Sequence, residues 1–222
     1  ISGVTGIADI ERIVNEESFD APAAKPGSVT SYDIKSEYFA HIRTFAKIKK
    51  PLNVVIDYAN GMGISEGGAF TGEMFNITPM FDVLDGTFPN HEANPLDLHT
   101  LHDICAKLKA GKYDFGIAFD GDADRAGFLD ENGDVVTMDM ITALVAQSML
   151  EEFPGAAIFY DLRSSWAVKE VIEEAGGRPM MSRVGHAFIK AQMREADAVF
   201  AGELSGHYYF RDNYYTESSS LA

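Results

Sequence analysis

The stretch FDGDADRAGF contains three aspartates within five residues, at positions 120, 122 and 124. They follow directly after the apolar run YDFGIAF. In an extended segment, side chains at i, i+2 and i+4 share one face. Carboxylates held that close repel one another by on the order of 1 kcal/mol per pair even in water. A hard divalent cation removes this repulsion, and three carboxylate oxygens with room for water or phosphate suit Mg²⁺. We therefore predict that Asp120, Asp122 and Asp124 bind Mg²⁺ and do not form a merely solvated acidic turn.

Two other kinds of site use closely spaced aspartates. A calcium-binding EF-hand loop would add Glu131 as a ligand, but its sixth position requires glycine, and Arg125 stands there between two predicted strands. A phosphatase of the haloacid-dehalogenase type would use Asp120 as the nucleophile. That motif normally carries Thr or Val where this chain has Asp124, and it remains an alternative.

A second polar stretch, GELSGH, follows the apolar run AVFA. In an extended loop, Glu203, Ser205 and His207 would alternate onto one side, and the flanking glycines would let a ligand approach the backbone. A carboxylate beside a hydroxyl suits the paired hydroxyls of a sugar, and a histidine exchanges protons near neutral pH. The alternative is an ordinary turn at a strand edge with a hydrogen-bonded histidine.

Basic residues follow two further strands. Arg163 and Arg183 each stand at a predicted strand end, and His186 opens a predicted helix directly after Gly185. A helix N-terminus favours an anion such as phosphate. Together these residues predict positive charge around the carboxylate cluster, as a phosphorylated substrate would require. The glycines of ANGMG do not complete a dinucleotide-binding fingerprint, because Glu66 stands at the third glycine position, and they predict a tight strand-to-helix turn.

Apolar stretches alternate with stretches of helical periodicity along most of the chain. Strands are predicted at LNVVIDYA, ITPMFDVLDG, DFGIAF, AAIFYD, RPMMSRV and AVFAGEL, with helices at 8–16, 33–49, 98–108, 138–153, 166–175 and 187–196 and a hairpin around Asn132-Gly133. This rhythm predicts two three-layer α/β/α domains of mixed, mainly parallel sheet. Ligands of such sheets bind beyond the carboxyl ends of the strands. The acidic triplet, the GELSGH stretch and the basic residues that follow two further strands all lie there.

The predicted domain organisation has three parts. Residues 1–32 form the remnant of a preceding domain and a Pro/Gly/Ala-containing linker, residues 33–134 form one α/β domain, and residues 135–222 form a second. The closing ESSSLA is typical of the capped opening of another helix, so we expect the second domain to be truncated. The chain begins with Ile1 rather than Met, which indicates a fragment or a processed chain.

Composition excludes several classes of function. A net charge of −16 argues against a general nucleic-acid or membrane-surface binder, and 46% hydrophobic residues in 222 suffice for a sizeable core. The single cysteine, Cys105, permits no intrachain disulfide and fits a reducing, cytoplasmic compartment. The longest apolar stretch is too short to cross a bilayer.

Several motifs together resemble one enzyme family. FDGDADR, RVGHAFIK and GELSGHYYF, in this order and spacing, are similar to those of the α-D-phosphohexomutases, most closely the bacterial phosphomannomutase/phosphoglucomutase branch; VVIDYANGMG and GTFPNHEANPL resemble its second domain. The resemblance implies an Mg²⁺-dependent isomerase, an intramolecular phosphotransferase with four domains around one cleft. A phosphoserine of the first domain gives its phosphate to a hexose monophosphate, and the hexose bisphosphate formed reorients and returns its other phosphate.

The resemblance also implies a role for each candidate residue. Asp120, Asp122 and Asp124 would hold Mg²⁺ against the phosphoserine, while Arg125 would neutralise charge on the moving phosphoryl group. The remaining residues would face the sugar: Glu203 and Ser205 at its 3- and 4-hydroxyls, Arg163, Gly185 and His186 at the substrate, and His207 as a proton carrier.

Two parts of the family pattern are absent from the sequence. There is no Ser-His-Asn-Pro nucleophile motif and no Arg/Ser/Asn/Thr-rich phosphate loop of a fourth domain. The chain therefore resembles the second and third domains alone and would need the first and fourth domains of the same polypeptide for turnover. Leu204 stands where phosphoglucosamine mutases tend to carry Gln, which favours a mannose or glucose phosphate. A non-catalytic sugar-phosphate or metal-binding module remains a further alternative.

Overall fold

A computed structural model describes residues 6–218 and 220–222, and the chain divides into two compact units, 1–38 and 39–222. In the first unit, α1 (Ile7–Asn15) confirms the helix predicted at 8–16, and none of its residues is buried. Residues 18–34 contain neither helix nor strand. The next helix, α2, covers Lys35–Arg43 and is shorter than the predicted 33–49.

The second unit begins with a five-stranded sheet whose strand order is β2-β1-β3-β4-β5. The first three strands are parallel, while β4 and β5 run antiparallel as a hairpin. Its elements are β1 (Leu52–Asp57), a 3₁₀ turn (Met62–Glu66), β2 (Phe75–Met80), α3 (His102–Ala110), β3 (Phe115–Phe119), β4 (Ala126–Asp130) and β5 (Val135–Val136).

A second five-stranded sheet follows, with the order β10-β9-β8-β6-β7. Strands β6, β7 and β8 are parallel, and β9 and β10 are antiparallel. Its elements are α4 (Met138–Glu152), β6 (Ala157–Asp161), α5 (Trp166–Glu174), β7 (Arg178–Ser182), α6 (His186–Ala196), β8 (Phe200–Gly202), β9 (Tyr208–Phe210), a 3₁₀ turn (Arg211–Asn213) and β10 (Thr216–Glu217).

Both sheets have the same connectivity, three parallel strands followed by two antiparallel ones. The turn DGDADR joins β3 to β4, and the turn GELSGH joins β8 to β9. The two polar motifs therefore occupy equivalent places in two equivalent sheets. The α/β fold class predicted from the sequence is confirmed.

The central strands are apolar on both faces because helices cover both. In β6, Ile158 and Tyr160 pack with the residues of α4 and α5, whereas Ala157 and Phe159 pack with those of α6. Burial of this kind stabilises a fold by roughly 25 cal/mol per Å² of apolar surface removed from water. It also explains why these strands form continuous apolar runs in the sequence.

Some predicted boundaries are wrong. The strand predicted at ITPMFDVLDG starts earlier and ends at Met80, and the helix predicted at 98–108 begins only at His102. Before it, side-chain bonds from Asp97 and Thr100 close local turns that compete with a helix. Glu217, predicted to open a final helix, pairs in β10 instead, and Ser219 of that predicted helix lies outside the described residues.

None of the helices in the described part of the chain is both long and apolar enough to cross a membrane.

Candidate functional site

The turn between β3 and β4 brings the three predicted metal ligands together. Asp120 is 1% exposed, Asp122 is exposed and Asp124 is half-buried. One carboxylate oxygen from each lies within 4.8 Å of the others. Ligands of a single Mg²⁺ ion lie up to about 4.2 Å apart, so small side-chain rotations would bring all three onto one ion. The donor set, three hard carboxylates, therefore fits a divalent cation.

Arg125 holds the most buried of these carboxylates. Its backbone N–H donates to Asp120 Oδ1 at 3.2 Å, and its Nε–H donates to Asp120 Oδ2 at 2.7 Å. Burial raises the pKa of Asp120, Arg125 opposes that rise, and the nearby charge of Asp124 adds to it. Each carboxylate oxygen has a second lone pair, so these bonds leave Asp120 able to accept a cation as well.

The ANGMG turn contacts the backbone of the acidic turn directly. The N–H of Met62 donates to Gly121 O at 2.9 Å. A Cβ atom on Gly61 would lie 2.8 Å from that same oxygen. Gly61 is extended, with φ −96°, so glycine is required here by the close approach of the backbone and not by strain. The sequence predicted this tight turn; the structure adds its contact with Gly121.

The GELSGH motif is a compact β-turn and not the extended loop predicted from the sequence. The N–H of Gly206 donates to Glu203 O at 3.0 Å, and the N–H of Glu203 donates to His207 O at 2.9 Å. Gly206 has φ +88°, which favours glycine. Because the chain folds back here, the strict alternation of Glu203, Ser205 and His207 onto one side is lost.

The three side chains of this turn have different partners. Ser205 Oγ and His207 Nδ1 lie 2.9 Å apart. Glu203 is 2% exposed; its carboxylate accepts from the hydroxyl of Tyr209 and, at 3.2 Å, from the N–H of Gly185. The serine and histidine therefore form one unit, while the glutamate is held by the protein on both oxygens.

The two turns contact each other directly. His207 Nε2 lies 3.2 Å from Asp124 Oδ2, and the N–H of Ala126 donates to Gly206 O at 3.2 Å. Burial lowers the pKa of His207, but its hydrogen bond to Asp124 and the charges of Asp124 and Glu203 outweigh burial, so the net pKa is raised. The structure thus joins the predicted metal cluster to the predicted sugar-binding turn.

Arg163 is held by a residue that the sequence analysis missed. Asp161, the last residue of β6, is fully buried and bonds to Arg163 through both its oxygens. Asp161 Oδ2 also accepts from the N–H of Leu204, in the GELSGH turn, at 2.9 Å. The available signal was the apolar strand AAIFYD ending on a carboxylate.

Gly185 is hydrogen-bonded to the GELSGH turn, whereas, among the described residues, the predicted basic residues Arg183 and His186 form no side-chain bond to it. Gly185 is the residue before α6, with φ +125°, and its N–H already donates to Glu203. Over the ranges 6–218 and 220–222, neither His186 nor Arg183 forms a side-chain hydrogen bond or ion pair with either turn. Both are exposed, and the guanidinium of Arg183 lies 3.8 Å above the ring of Phe188.

A second buried aspartate stands at the equivalent place in the first sheet. Asp57, the last residue of β1, accepts from Ala59 N–H at 2.8 Å and lies 3.1 Å from His91 Nε2. Burial raises the pKa of Asp57, and the bonds from Ala59 and His91 oppose it. His91 thereby ties its loop to β1, and both it and Asp57 form no bond to the acidic triplet among the described residues.

Comparison with known proteins gives consistent matches over nearly the whole chain. Family models described as phosphoglucomutase/phosphomannomutase alpha/beta/alpha domains II and III match residues 36–133 and 137–222. A phosphoglucomutase from Neisseria gonorrhoeae is 39% identical over an alignment of 214 residues, and the match covers 94% of this chain and 45% of that protein. A phosphomannomutase from Escherichia coli K12 is 37% identical over all of this chain and 50% of that protein.

A solved structure agrees with these matches. The crystal structure of a phosphoglucomutase/phosphomannomutase family protein from Burkholderia thailandensis superposes with a TM-score of 0.92 at 34% identity, covering all of this chain and 48% of that one. The chain thus spans about half the length of the relatives it matches.

Proposed function

The chain belongs to the phosphoglucomutase/phosphomannomutase family, and on that premise we propose that it forms the metal-binding and sugar-binding centre of a phosphohexomutase. The reaction would interconvert hexose 6-phosphates and hexose 1-phosphates of mannose or glucose. A phosphoserine enzyme and a hexose bisphosphate would be its intermediates, and it would run in the cytoplasm. The phosphoserine and the loop for the non-transferred phosphate would come from the part of such an enzyme that this chain does not span.

The acidic turn would hold the metal ion of this reaction. Asp120, Asp122 and Asp124 would bind Mg²⁺, which supplies positive charge against the phosphoryl group in transfer. Arg125 would orient Asp120 through its Nε–H, and its other guanidinium nitrogens would face the phosphoryl oxygens. Phosphoryl transfer depends mostly on positioning and charge neutralisation, which these residues are suited to provide.

The second turn and its neighbours would hold the sugar phosphate. Glu203 and Ser205 would bind the sugar's 3- and 4-hydroxyls, with Arg163, Gly185 and His186 at the substrate. Since His207 bonds to Asp124 through Nε2, its Nδ1, which faces Ser205, is the atom at which it would hold or release a proton. In this proposal residues 33–134 and 135–222 are the second and third family domains, after a remnant of the first at 1–32.

One observation carries the proposal: the carboxylate triplet and the Ser205–His207 pair, from two separate sheets, meet through the contact of His207 with Asp124. A solvated acidic turn would need no such partner. The alternative in which Asp120 is a phosphatase nucleophile is less favoured, because that motif normally carries Thr or Val where this chain has Asp124.

A chimeric enzyme tests the proposal. The part of this chain that aligns with the N. gonorrhoeae phosphoglucomutase replaces the aligned segment of that enzyme, and conversion of glucose 1-phosphate to glucose 6-phosphate is measured with Mg²⁺. We expect activity that Asp122→Asn abolishes. Asp82→Asn, which removes an exposed aspartate outside the turn, is the control and should leave the activity unchanged.

Three results would contradict the proposal in different ways. Full activity of the Asp122→Asn chimera would refute the metal assignment. A phosphoenzyme that hydroxylamine cleaves, with the phosphate mapped to Asp120, would favour the haloacid-dehalogenase alternative. A chimera that folds and binds Mg²⁺ and sugar phosphate yet never turns over would favour a non-catalytic binding module.

A further inference from the structure

Asp161 lies where two parts of the candidate site meet. It ends β6, and its carboxylate is fully buried. Oδ1 accepts from the Arg163 N–H at 2.7 Å and from Arg163 Nε at 3.3 Å. Oδ2 accepts from Arg163 Nη2 at 2.6 Å and from the N–H of Leu204 at 2.9 Å. One carboxylate therefore bonds to the arginine after β6 and to the turn between β8 and β9.

This carboxylate needs its negative charge to make these bonds. All four partners are donors, and an ionised carboxylate offers only acceptors. Burial raises the pKa of Asp161, but the bonds from Arg163 and Leu204 outweigh it and hold the pKa below its ordinary value. The side chain of Arg163 is 41% exposed, so the guanidinium is fixed along one edge while the rest of it faces solvent.

We propose that Asp161 is a positioning residue that sets the guanidinium of Arg163 and the Ser205–His207 turn in one fixed arrangement for a sugar phosphate. This inference rests on the proposed function, because it presumes that the turn binds a phosphorylated sugar. Without Asp161, Arg163 loses the partner that orients its guanidinium group, and the N–H of Leu204 loses its acceptor. The turn and the arginine would then sample positions independently of each other.

A comparison within the chain separates positioning from simple stabilisation. Asp57 is the topological counterpart of Asp161: it ends the middle one of the three parallel strands of its sheet, is fully buried, and accepts from the backbone N–H two residues later. Its side-chain partner is His91, and among the described residues it forms no bond to the GELSGH turn. Removal of the charge of Asp57 therefore perturbs a buried carboxylate of the same kind without touching the sugar-binding turn.

The test uses the chimeric enzyme described above, which also carries the parts of the relative that this chain does not span. Two probes, Mg²⁺ and glucose 1,6-bisphosphate, are titrated by calorimetry or NMR. In Asp161→Asn, two of the four donors must face the amide NH₂ whichever way the amide is turned. We expect the affinity for the bisphosphate to fall about tenfold or more, as for a lost bond to a charged group. The Mg²⁺ affinity of Asp161→Asn should stay within about twofold of that of the unaltered chimera. In the control Asp57→Asn, any loss of bisphosphate affinity should be no larger than the loss of Mg²⁺ affinity.

A double-mutant cycle adds a readout that a purely structural role would not change. If Asp161 acts through Arg163, then Asp161→Asn costs much less bisphosphate affinity in an Arg163→Gln background than in the unaltered chimera. Additive losses would overturn the proposal. If Asp161→Asn does not fold, Arg163→Gln alone decides, because bisphosphate affinity equal to that of the unaltered chimera would show that there is nothing for Asp161 to position.

The failure of this inference is distinguishable from that of the proposed function. An unaltered chimera that binds no bisphosphate overturns the sugar-phosphate assignment and this proposal with it. An unaltered chimera that binds bisphosphate, with an Asp161→Asn variant that binds it equally well, overturns only the positioning role.

Discussion

Gly61→Ala perturbs the acidic turn from outside the ligand set. A Cβ at Gly61 would lie 2.8 Å from Gly121 O, 3.1 Å from Gly121 Cα and 3.2 Å from Asp120 O, whereas ordinary van der Waals contact begins at 3.4 Å. Every one of these neighbours is a backbone atom of the proposed metal-binding turn. No side chain can rotate away, so the turn itself must move by about half an ångström.

The expected magnitude follows from two opposing effects. Overpacking of a closely packed site costs about 1–3 kcal/mol. Replacing glycine with alanine also restricts the unfolded chain, which stabilises by about 0.4–1 kcal/mol where the native backbone tolerates alanine, as the extended φ of Gly61 does. We therefore expect the free energy of unfolding to fall by about 0.5–2 kcal/mol. Displacement of the ligands should also weaken Mg²⁺ binding by about tenfold, as for other perturbed supports of metal ligands.

Urea unfolding and calorimetric Mg²⁺ titration of the 222-residue chain measure both effects. Gly86→Ala is the matched control, because a Cβ there meets no atom within 4 Å, and it should leave the Mg²⁺ affinity unchanged. If Gly61→Ala proves as stable as Gly86→Ala and binds Mg²⁺ equally well, the reasoning that Gly61 supports the acidic turn is refuted.

Two further predictions concern the groups around the second turn. Tyr209→Phe leaves one oxygen of Glu203 without its hydroxyl donor and should lower the free energy of unfolding by about 1–3 kcal/mol. Tyr208→Phe removes a hydroxyl that donates to the weakly accepting sulfur of Met138, and it should lower the free energy of unfolding by less than half as much in the same urea experiment. Because the pKa of His207 is raised above about 6.5 in the folded chain, its contribution to stability is fully present below pH 6.5 and is lost as the pH rises through the folded pKa. An NMR titration of His207 in EDTA should give a midpoint above 6.5 that falls when Mg²⁺ is added beside Asp124; a midpoint at or below 6.5 in EDTA would contradict the ion pair.

The sequence predicted the elements that have a strong pattern. The apolar runs became strands close to their predicted bounds, and the helix over Met138–Glu152 was predicted to within one residue. These segments are specified locally by periodicity. Helix α3 starts four residues later than predicted, because the bonds of Asp97 and Thr100 are not visible in periodicity.

The candidate site was predicted less completely than the fold. The residue types and their place at strand ends follow from chain order, which is why the sequence predicted that Asp120, Asp124 and His207 lie at one edge of the sheets. The compact β-turn at GELSGH was missed because the glycine at 206 fits either a close approach or a positive φ, and the sequence does not distinguish them. Asp161 was missed because its partners come from β6's own loop and from a turn over forty positions downstream, a pairing that only the sheet creates.

The hydrogen bond from Ala126 to Gly206 constrains how such chains could diverge or be recombined. Because both atoms belong to the main chain, a side-chain substitution cannot supply this bond once it is lost. Its length depends on the number of residues in both turns. An insertion in either turn would break it unless the other changed to match. Homologous recombination with a crossover in the 131–137 region would therefore succeed only when both parents carry turns of compatible length.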